Sequence, residues 1–168
     1  MLAFEFLVLT ARRSGEVRLA TWDEVELDRA TWTEPAHRMK SKRDHRVPLS
    51  ARALEVLRET RELADSSGLI FPSPGGGAMS DNKISKLLRD LQIDAVPHGF
   101  RSSFRDWVAE CSEAPREVCE LALAHVNSDR VEAAYRRTDL FDRRRALMEQ
   151  WSVFIGRAPE TSERQARR

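Results

Sequence analysis

A single stretch of β-type pattern, set between segments with helical patterns, limits the folds open to this chain. Between residues 22 and 49, Val25 and Leu27 alternate with acidic side chains, Trp32 stands between two threonines, and a third candidate strand ends at Leu49. Alternation with a period of two places one face of each strand against a core. We therefore predict an α+β fold that is mainly helical and contains one small three-stranded antiparallel sheet.

Helical periodicity covers most of the remaining chain. Pro35 interrupts the β-type stretch and argues for an edge position in the sheet, because proline cannot donate a ladder hydrogen bond. The glycine-rich loop at 73–77 is not followed by a Lys-Ser or Lys-Thr pair, so it is not a phosphate-binding loop. The predicted helices span 2–12, 16–20, 51–64, 81–91, 99–110, 115–124, 129–138 and 141–155.

The composition indicates one domain. The chain has 168 residues, of which 41% are hydrophobic and 33% are charged. We predict a folded domain over 1–156 and a disordered tail over 157–168, where the sequence is polar and has no periodicity. The net charge of +1 does not by itself indicate nucleic-acid binding, so a basic face requires segregated charges. Two basic runs, each also compatible with an ordinary solvated surface, consist of Arg38, Lys40, Lys42, Arg43 and Arg46, and of Arg136, Arg137, Arg143, Arg144 and Arg145.

The cysteines and the apolar segments predict a reduced, cytoplasmic protein without membrane contact. Cys111 and Cys119 form no CxxC motif, and no apolar stretch reaches membrane-spanning length. The opening residues lack the basic start of a signal peptide and lie directly in a helical pattern, as we expect of a fragment. We predict no metal site; zinc bound by both cysteines with His98 and His125 is the remaining alternative.

The candidates for chemistry are two arginines, two histidines and the only tyrosine, in the order Arg13, His98, Arg101, His125 and Tyr135. Transesterification at a phosphodiester requires a deprotonated nucleophile, stabilised phosphate charge and a proton for the leaving oxygen. A tyrosine with a pKa of about 10 needs a base or nearby cations. Two guanidinium groups stay protonated and match phosphate oxygens, so they can replace a metal ion. His98 and Arg101 are spaced to share one face of a helix start.

These residues also have purely structural interpretations. Arg13 stands where the first helix stops, so it could satisfy the terminal carbonyls. Glu16, one helical turn away, could instead orient its guanidinium. His125 could cap a helix end, and Tyr135 could be a core aromatic.

In combination the residues resemble the catalytic domain of the tyrosine recombinase, or phage integrase, family over residues 5–155. The family's lysine stands seven residues before the valine of its Val-Pro-Leu strand, which selects Lys40 over Lys42. Ala124 stands where many relatives have glycine, a change that we expect to be tolerated. The run ending at Trp151 is similar to integrases of temperate phages and genomic islands. The motifs are Thr10-Ala11-Arg12-Arg13-Ser14-Gly15-Glu16, Met39-Lys40-Ser41-Lys42 leading into Val47-Pro48-Leu49-Ser50, His98-Gly99-Phe100-Arg101, Leu123-Ala124-His125 and Ala133-Ala134-Tyr135-Arg136-Arg137.

The resemblance implies a site-specific recombinase that cleaves and rejoins DNA without any cofactor. Tyr135 would attack the scissile phosphate to give a 3′-phosphotyrosyl link, while both arginines and His125 hold the phosphate oxygens. His98 would accept the tyrosine proton, and Lys40 would protonate the leaving 5′ oxygen. The implied catalytic residues are Arg13, Lys40, His98, Arg101, His125 and the nucleophile Tyr135, with Glu16 orienting and with Lys42, Arg43, Arg136 and Arg137 on DNA.

The resemblance also implies partners. These are double-stranded DNA attachment sites, accessory DNA-bending or directionality factors and, in the full-length protein, a homotetramer on DNA associated with the bacterial nucleoid. The family's arm-binding and core-binding domains are absent from this chain, so we expect weak DNA binding and poor site choice. Relatives dock a stripe like Leu147, Trp151 and Phe154 onto a neighbouring subunit; packing on the chain's own domain is the alternative.

Three other functions stay open from the sequence. A type IB topoisomerase uses the same chemistry without exchanging strands, and a decayed integrase would bind DNA without cleaving it. A hydrolase could use Ser102, Ser103 and Asp106 near His98, although no Gly-x-Ser-x-Gly elbow is present.

Overall fold

The computed structural model describes residues 1–125 and 138–157, and helices account for most of them. The predicted helix at 129–138 and the predicted tail at 157–168 lie outside this range except for residues 138 and 157. No helix in the described residues is both long and apolar enough to cross a membrane. The strands are β1 (Val25–Glu26), β2 (Thr31–Glu34) and β3 (His45–Pro48). The helices are α1 (Leu2–Thr10), α2 (Ser14–Arg18), α3 (Ala51–Arg61), α4 (Lys83–Asp90), α5 (Gly99–Cys111), α6 (Arg116–Ala122) and α7 (Phe141–Gly156).

The three strands form one antiparallel sheet in the order β1-β2-β3, which confirms the predicted fold class. Trp32 of β2 lies opposite Val25 on one side and Val47 on the other. The edge position inferred from Pro35 is wrong, because β2 is the central strand. Pro35 comes just after β2 and precedes a short 3₁₀ turn at Ala36–Arg38, so the ladder never needs its missing N–H.

A first hydrophobic cluster lies between the sheet and helices α1 and α3. Phe6, Leu7, Trp32 and Leu57 are fully buried in it. The Phe6 ring packs at 5.4 Å from that of Trp32, a distance typical of aromatic pairs in cores. This cluster fixes the end of α1 against the sheet, and therefore the place where α2 begins.

A second cluster joins α5, α6 and α7. Phe104 and Trp107 of α5 pack on Trp151 of α7, with ring centroids 5.4 Å and 5.2 Å apart. The indole N–H of Trp151 also donates to the Val8 carbonyl at 2.8 Å. The stripe of α7 thus packs on its own domain through Trp151 and the buried Leu147, as the alternative proposed. Phe154, the third member, is 43% exposed.

We expect Trp151→Ala to lower the free energy of unfolding by about 3–5 kcal/mol, because it leaves a cavity among aromatic rings and removes the indole hydrogen bond to the Val8 carbonyl. Val153→Ala, on the exposed side of the same helix, should change it by less than about 0.5 kcal/mol. Urea denaturation measures both. A stable Trp151→Ala variant, or a folded chain after deletion of residues 141–168, would show that α7 is dispensable for this domain.

Candidate active site

The Arg13 side chain is oriented by Glu16 at the junction of α1 and α2. Glu16 accepts hydrogen bonds from the backbone N and from Nη1 of Arg13, both at 2.7 Å. Burial opposes ionisation of Glu16, but the charge of Arg12 and the hydrogen bonds from Arg13 outweigh it and hold the pKa of Glu16 below its ordinary value. The guanidinium of Arg13 is therefore paired with a carboxylate and does not cap the carbonyls of α1.

Arg101 lies in the first turn of α5 and is almost completely buried, with 3% exposure. Its Nη1 donates to the Ala11 carbonyl at 2.5 Å, and its Nη2 donates to the Leu123 carbonyl at 2.8 Å. Burial, together with the like charges of Arg12 and Arg13, lowers the pKa of Arg101 to about 10. The group stays protonated at neutral pH, and carbonyls from two distant segments fix its plane.

His125 joins this group from the turn after α6. Its Nε2 lies 3.4 Å from Nη2 of Arg101, and its Nδ1 lies 2.6 Å from a carboxylate oxygen of Glu120. Because arginine can only donate, this arrangement assigns the proton to Nδ1. The helix ends at Ala122, and the backbone N–H of His125 donates to the Glu120 carbonyl at 2.9 Å, so the backbone of His125 helps to close the helix end, as the alternative interpretation proposed, while its imidazole contacts Arg101.

His98 and Lys40 face the same side of the domain as Arg13. Both are exposed, and both line an open cleft of about 530 Å³. His98 immediately precedes α5, and its side chain is exposed. The side chain of Arg101, three residues later, is buried, so the two side chains do not share one solvent-facing surface. The cleft is lined by Arg13, Ser14, Gly15, Glu16, Leu19, Arg38, Lys40 and His98.

The remaining predicted residues divide into two groups. Lys42 and Arg43 are exposed in the turn between β2 and β3 and do not line the cleft, and Lys42 has a left-handed backbone with φ of 55°. Tyr135, Arg136 and Arg137 lie outside the described residues.

Arg38 is a cleft residue that the sequence placed only in a basic run. Its guanidinium donates to the Leu19 carbonyl and to the Glu24 carboxylate. Glu24 also accepts from the Trp32 indole at 2.9 Å. Arg38 thereby fixes the segment that carries Lys40, two residues later. Its short distance from Lys40 in the sequence is the feature that could have predicted its place in the cleft.

Arg144, assigned from sequence to a basic run, is not a surface residue. It is 1% exposed, and it donates to the Arg46 carbonyl at 2.6 Å and to the Asp139 carboxylate at 2.9 Å. Arg46 binds the same carboxylate through two nitrogens. Both arginines therefore hold Asp139, four residues after Tyr135, against β3.

Two ionisable residues, the buried Glu34 and the half-buried His45, lie opposite each other on β2 and β3. Burial raises the pKa of Glu34 to about 7, against the attraction of Arg12. Burial and the charges of Arg12 and Arg144 lower the pKa of His45 to about 2. Neither residue belongs to a sequence motif, although Glu34 occupies the same face as Trp32 and so belongs to the buried side of the strand.

Comparison with known proteins identifies the class to which this fold and site belong. The sequence model of the phage integrase family matches residues 1–140. The chain therefore belongs to the phage integrase family, as its motifs predicted. It is 35% identical to prophage integrase IntA of Escherichia coli K12, over 95% of this chain and 39% of IntA. It is 31% identical to the integrase of Enterobacteria phage P4, over 92% of this chain and 39% of that protein.

Solved structures show the same fold. The integrase from mycobacterium phage Brujita superimposes with a TM-score of 0.65 at 16% identity, covering 95% of this chain and 55% of that one. XerA recombinase gives a TM-score of 0.62 at 17% identity, covering 93% and 58%. The chain thus spans a little over half of these two proteins, and about 39% of IntA and the P4 integrase.

The shifted pKa values of Glu34 and His45 predict opposite effects of pH on stability. Between about pH 7.5 and pH 5.5, His45 takes up a proton only in the unfolded chain. Acidification over this range therefore lowers the free energy of unfolding of the parent by about 1.4 kcal/mol through this residue. Glu34 acts in the other direction, because its raised pKa makes the folded state bind the proton more tightly, and acidification stabilises. Relative to the parent, His45→Gln should therefore gain stability on acidification and Glu34→Gln should lose it. Urea denaturation at both pH values tests this, and equal pH dependence in the two variants would contradict it.

Proposed function

We propose that this chain is the catalytic domain of a site-specific DNA recombinase, which cleaves and rejoins strands through a 3′-phosphotyrosyl intermediate to integrate or excise a prophage or genomic island. The observation that carries the proposal is the closeness of Arg13 and Arg101, which are far apart in sequence: Arg101 donates to the carbonyl of Ala11, two residues before Arg13, and the charge of Arg13 contributes to the lowered pKa of Arg101. His125 adjoins one arginine, and the cleft with His98 and Lys40 adjoins the other.

The two guanidinium groups fit a phosphate with fixed orientation. A guanidinium has five N–H donors. Within the described residues, the Arg13 side chain donates to Glu16, and Arg101 donates to two carbonyls. The remaining donors match the geometry of phosphate oxygens, and both charges oppose the extra negative charge of a pentacoordinate phosphate. Preorganised donors of this kind need no rearrangement during the reaction.

The proton transfers fall to residues of the cleft and to the nucleophile. Tyr135 attacks the phosphorus, its proton passes to His98, and the bond to the 5′ oxygen breaks. Lys40 donates the proton that the leaving oxygen requires. Attack by a 5′ hydroxyl on the phosphotyrosine then rejoins the strand, and the ester keeps the bond energy, so the reaction needs no ATP.

The proposed substrate is a double-stranded DNA attachment site in the bacterial cytoplasm, with Lys42, Arg43, Arg136 and Arg137 contacting the backbone. XerH, with a TM-score of 0.59 and 20% identity over 75% of this chain and 39% of its own, was solved bound to its difH substrate. By analogy with the family, the full-length protein assembles as a homotetramer on DNA, with accessory DNA-bending or directionality factors.

We expect the protein to form a covalent adduct with a nicked duplex carrying its core site, seen as a retarded band on a denaturing gel. Tyr135→Phe should abolish the band and leave DNA affinity unchanged, because only the hydroxyl is removed. Binding without an adduct in the parent would instead support a DNA-binding remnant. Relaxation of supercoiled plasmid without exchanged strands would support a topoisomerase.

Lys40→Ala should slow cleavage by about 10²–10⁴-fold, the usual contribution of a general acid. Lys86→Ala is the control, since Lys86 is an exposed lysine of α4 that does not line the cleft. Replacing the leaving 5′ oxygen by sulfur should restore the cleavage rate of Lys40→Ala, because a thiol has a pKa of about 8.5 and its thiolate can leave without a proton. Equal losses in both variants, or no rescue by sulfur, would reject Lys40 as the proton donor.

A further inference from the structure

The side chain of Arg12, next to the phosphate-binding Arg13, is completely buried. Its Nη2 lies 2.5 Å from Glu34 of the central strand and 3.2 Å from Glu16 of α2. Its Nη1 donates to the carbonyl of Ala122, at the end of α6, at 3.3 Å. One rigid guanidinium thus contacts the sheet, the helix that orients Arg13 and the helix that leads to His125.

Glu16 is held between two arginines. Its Oε1 accepts from Nη1 of Arg13, whereas its Oε2 accepts from the Arg13 backbone and faces Arg12. Without Arg12, only a backbone N–H restrains Oε2, and the carboxylate can rotate together with the guanidinium that it orients. Glu34 is the second carboxyl group that faces Arg12 in the core, besides Glu16.

We propose that Arg12 and Glu34 are positioning residues of the phosphate site, which hold Glu16, and through it Arg13, in register with the turn that carries His125. This inference rests on the proposed function. It assigns to the buried pair a role beyond stability. Replacing a buried ion pair by apolar side chains is often neutral or stabilising, so stability alone does not require these charges.

The charged surroundings of Glu34 come from four elements. Arg12, before α2, and Arg38, after β2, are the nearby cations. Glu16 of α2 is a nearby carboxylate, and His45 of β3 lies opposite Glu34. Since His45 is neutral at ordinary pH, Arg12 is the cation nearest to the carboxylate. Substituting both members of the pair together therefore removes the positioning contact without leaving an uncompensated charge.

The test compares the parent with Arg12→Leu/Glu34→Leu and with Arg12→Lys, which keeps the charge but loses the fork. Both variants should keep the parental melting temperature within a few degrees, and their cleavage is compared with that of the parent at saturating DNA. Single-turnover cleavage should fall about 10- to 100-fold, as expected when a reacting geometry shifts by a fraction of an ångström to an ångström. The control is Arg52→Leu/Glu5→Leu. These two residues form an ion pair of 2.6 Å that joins α1 to α3 and lies away from the site, so this variant should cleave at the parental rate. Parental cleavage in either Arg12 variant would overturn the inference.

A second measurement separates this inference from the proposed function. Titration with inorganic phosphate, followed through the Arg13 Nε–Hε signal in ¹⁵N NMR, reports the orientation of Arg13 without DNA chemistry. Arg12→Leu/Glu34→Leu should bind phosphate at least about fivefold more weakly than the parent, because the donor fork of Arg13 is no longer held. If the parent forms no covalent adduct, the proposed function fails and this titration decides the inference alone. Equal phosphate affinities would overturn it.

Discussion

The two hydrophobic clusters are connected by guanidinium groups that cannot lose their charge and that therefore must find partners in the interior. Arg12 reaches from the α1–α2 junction to the Ala122 carbonyl of α6. Arg101 reaches in the opposite direction, from α5 to the Ala11 carbonyl. Arg144 of α7 donates a hydrogen bond to the Arg46 carbonyl of β3. Each group replaces water by carbonyls of a distant segment, so the relative placement of the elements is fixed by hydrogen-bond geometry as well as by apolar contact.

This arrangement explains where the candidate site lies. At the seam between the clusters, α1 and α6 end and α5 begins close together, near Ala11, Leu123 and Arg101. Helix ends expose backbone groups that need partners. The buried arginines satisfy these groups and bring the charge of Arg13 and the imidazole of His125 to one side of the domain.

Local patterns predicted much of this architecture. The alternation around Trp32 was enough to place the sheet, and the spacing of Arg13 and Glu16 was enough to suggest their contact. The burial of Arg12 and Arg144 was not predictable from spacing, because charged side chains are usually exposed and their partners come from distant parts of the chain. Pro35 misled for a related reason, since a proline just outside a central strand has the same local signature as one at an edge.

Two alanines carry the backbone through sharp turns at this seam. Ala11 and Ala124 both have φ of 50°, in the left-handed region that glycine enters without strain. The Ala11 methyl is buried in the second cluster, whereas that of Ala124 is only partly covered. The left-handed conformation costs about 1–2 kcal/mol for an alanine, against about 0.4–1 kcal/mol for the greater freedom of glycine in the unfolded chain. The turn before His125 is therefore slightly strained. Replacing Ala124 by glycine removes one methyl group and is a way to raise the melting temperature.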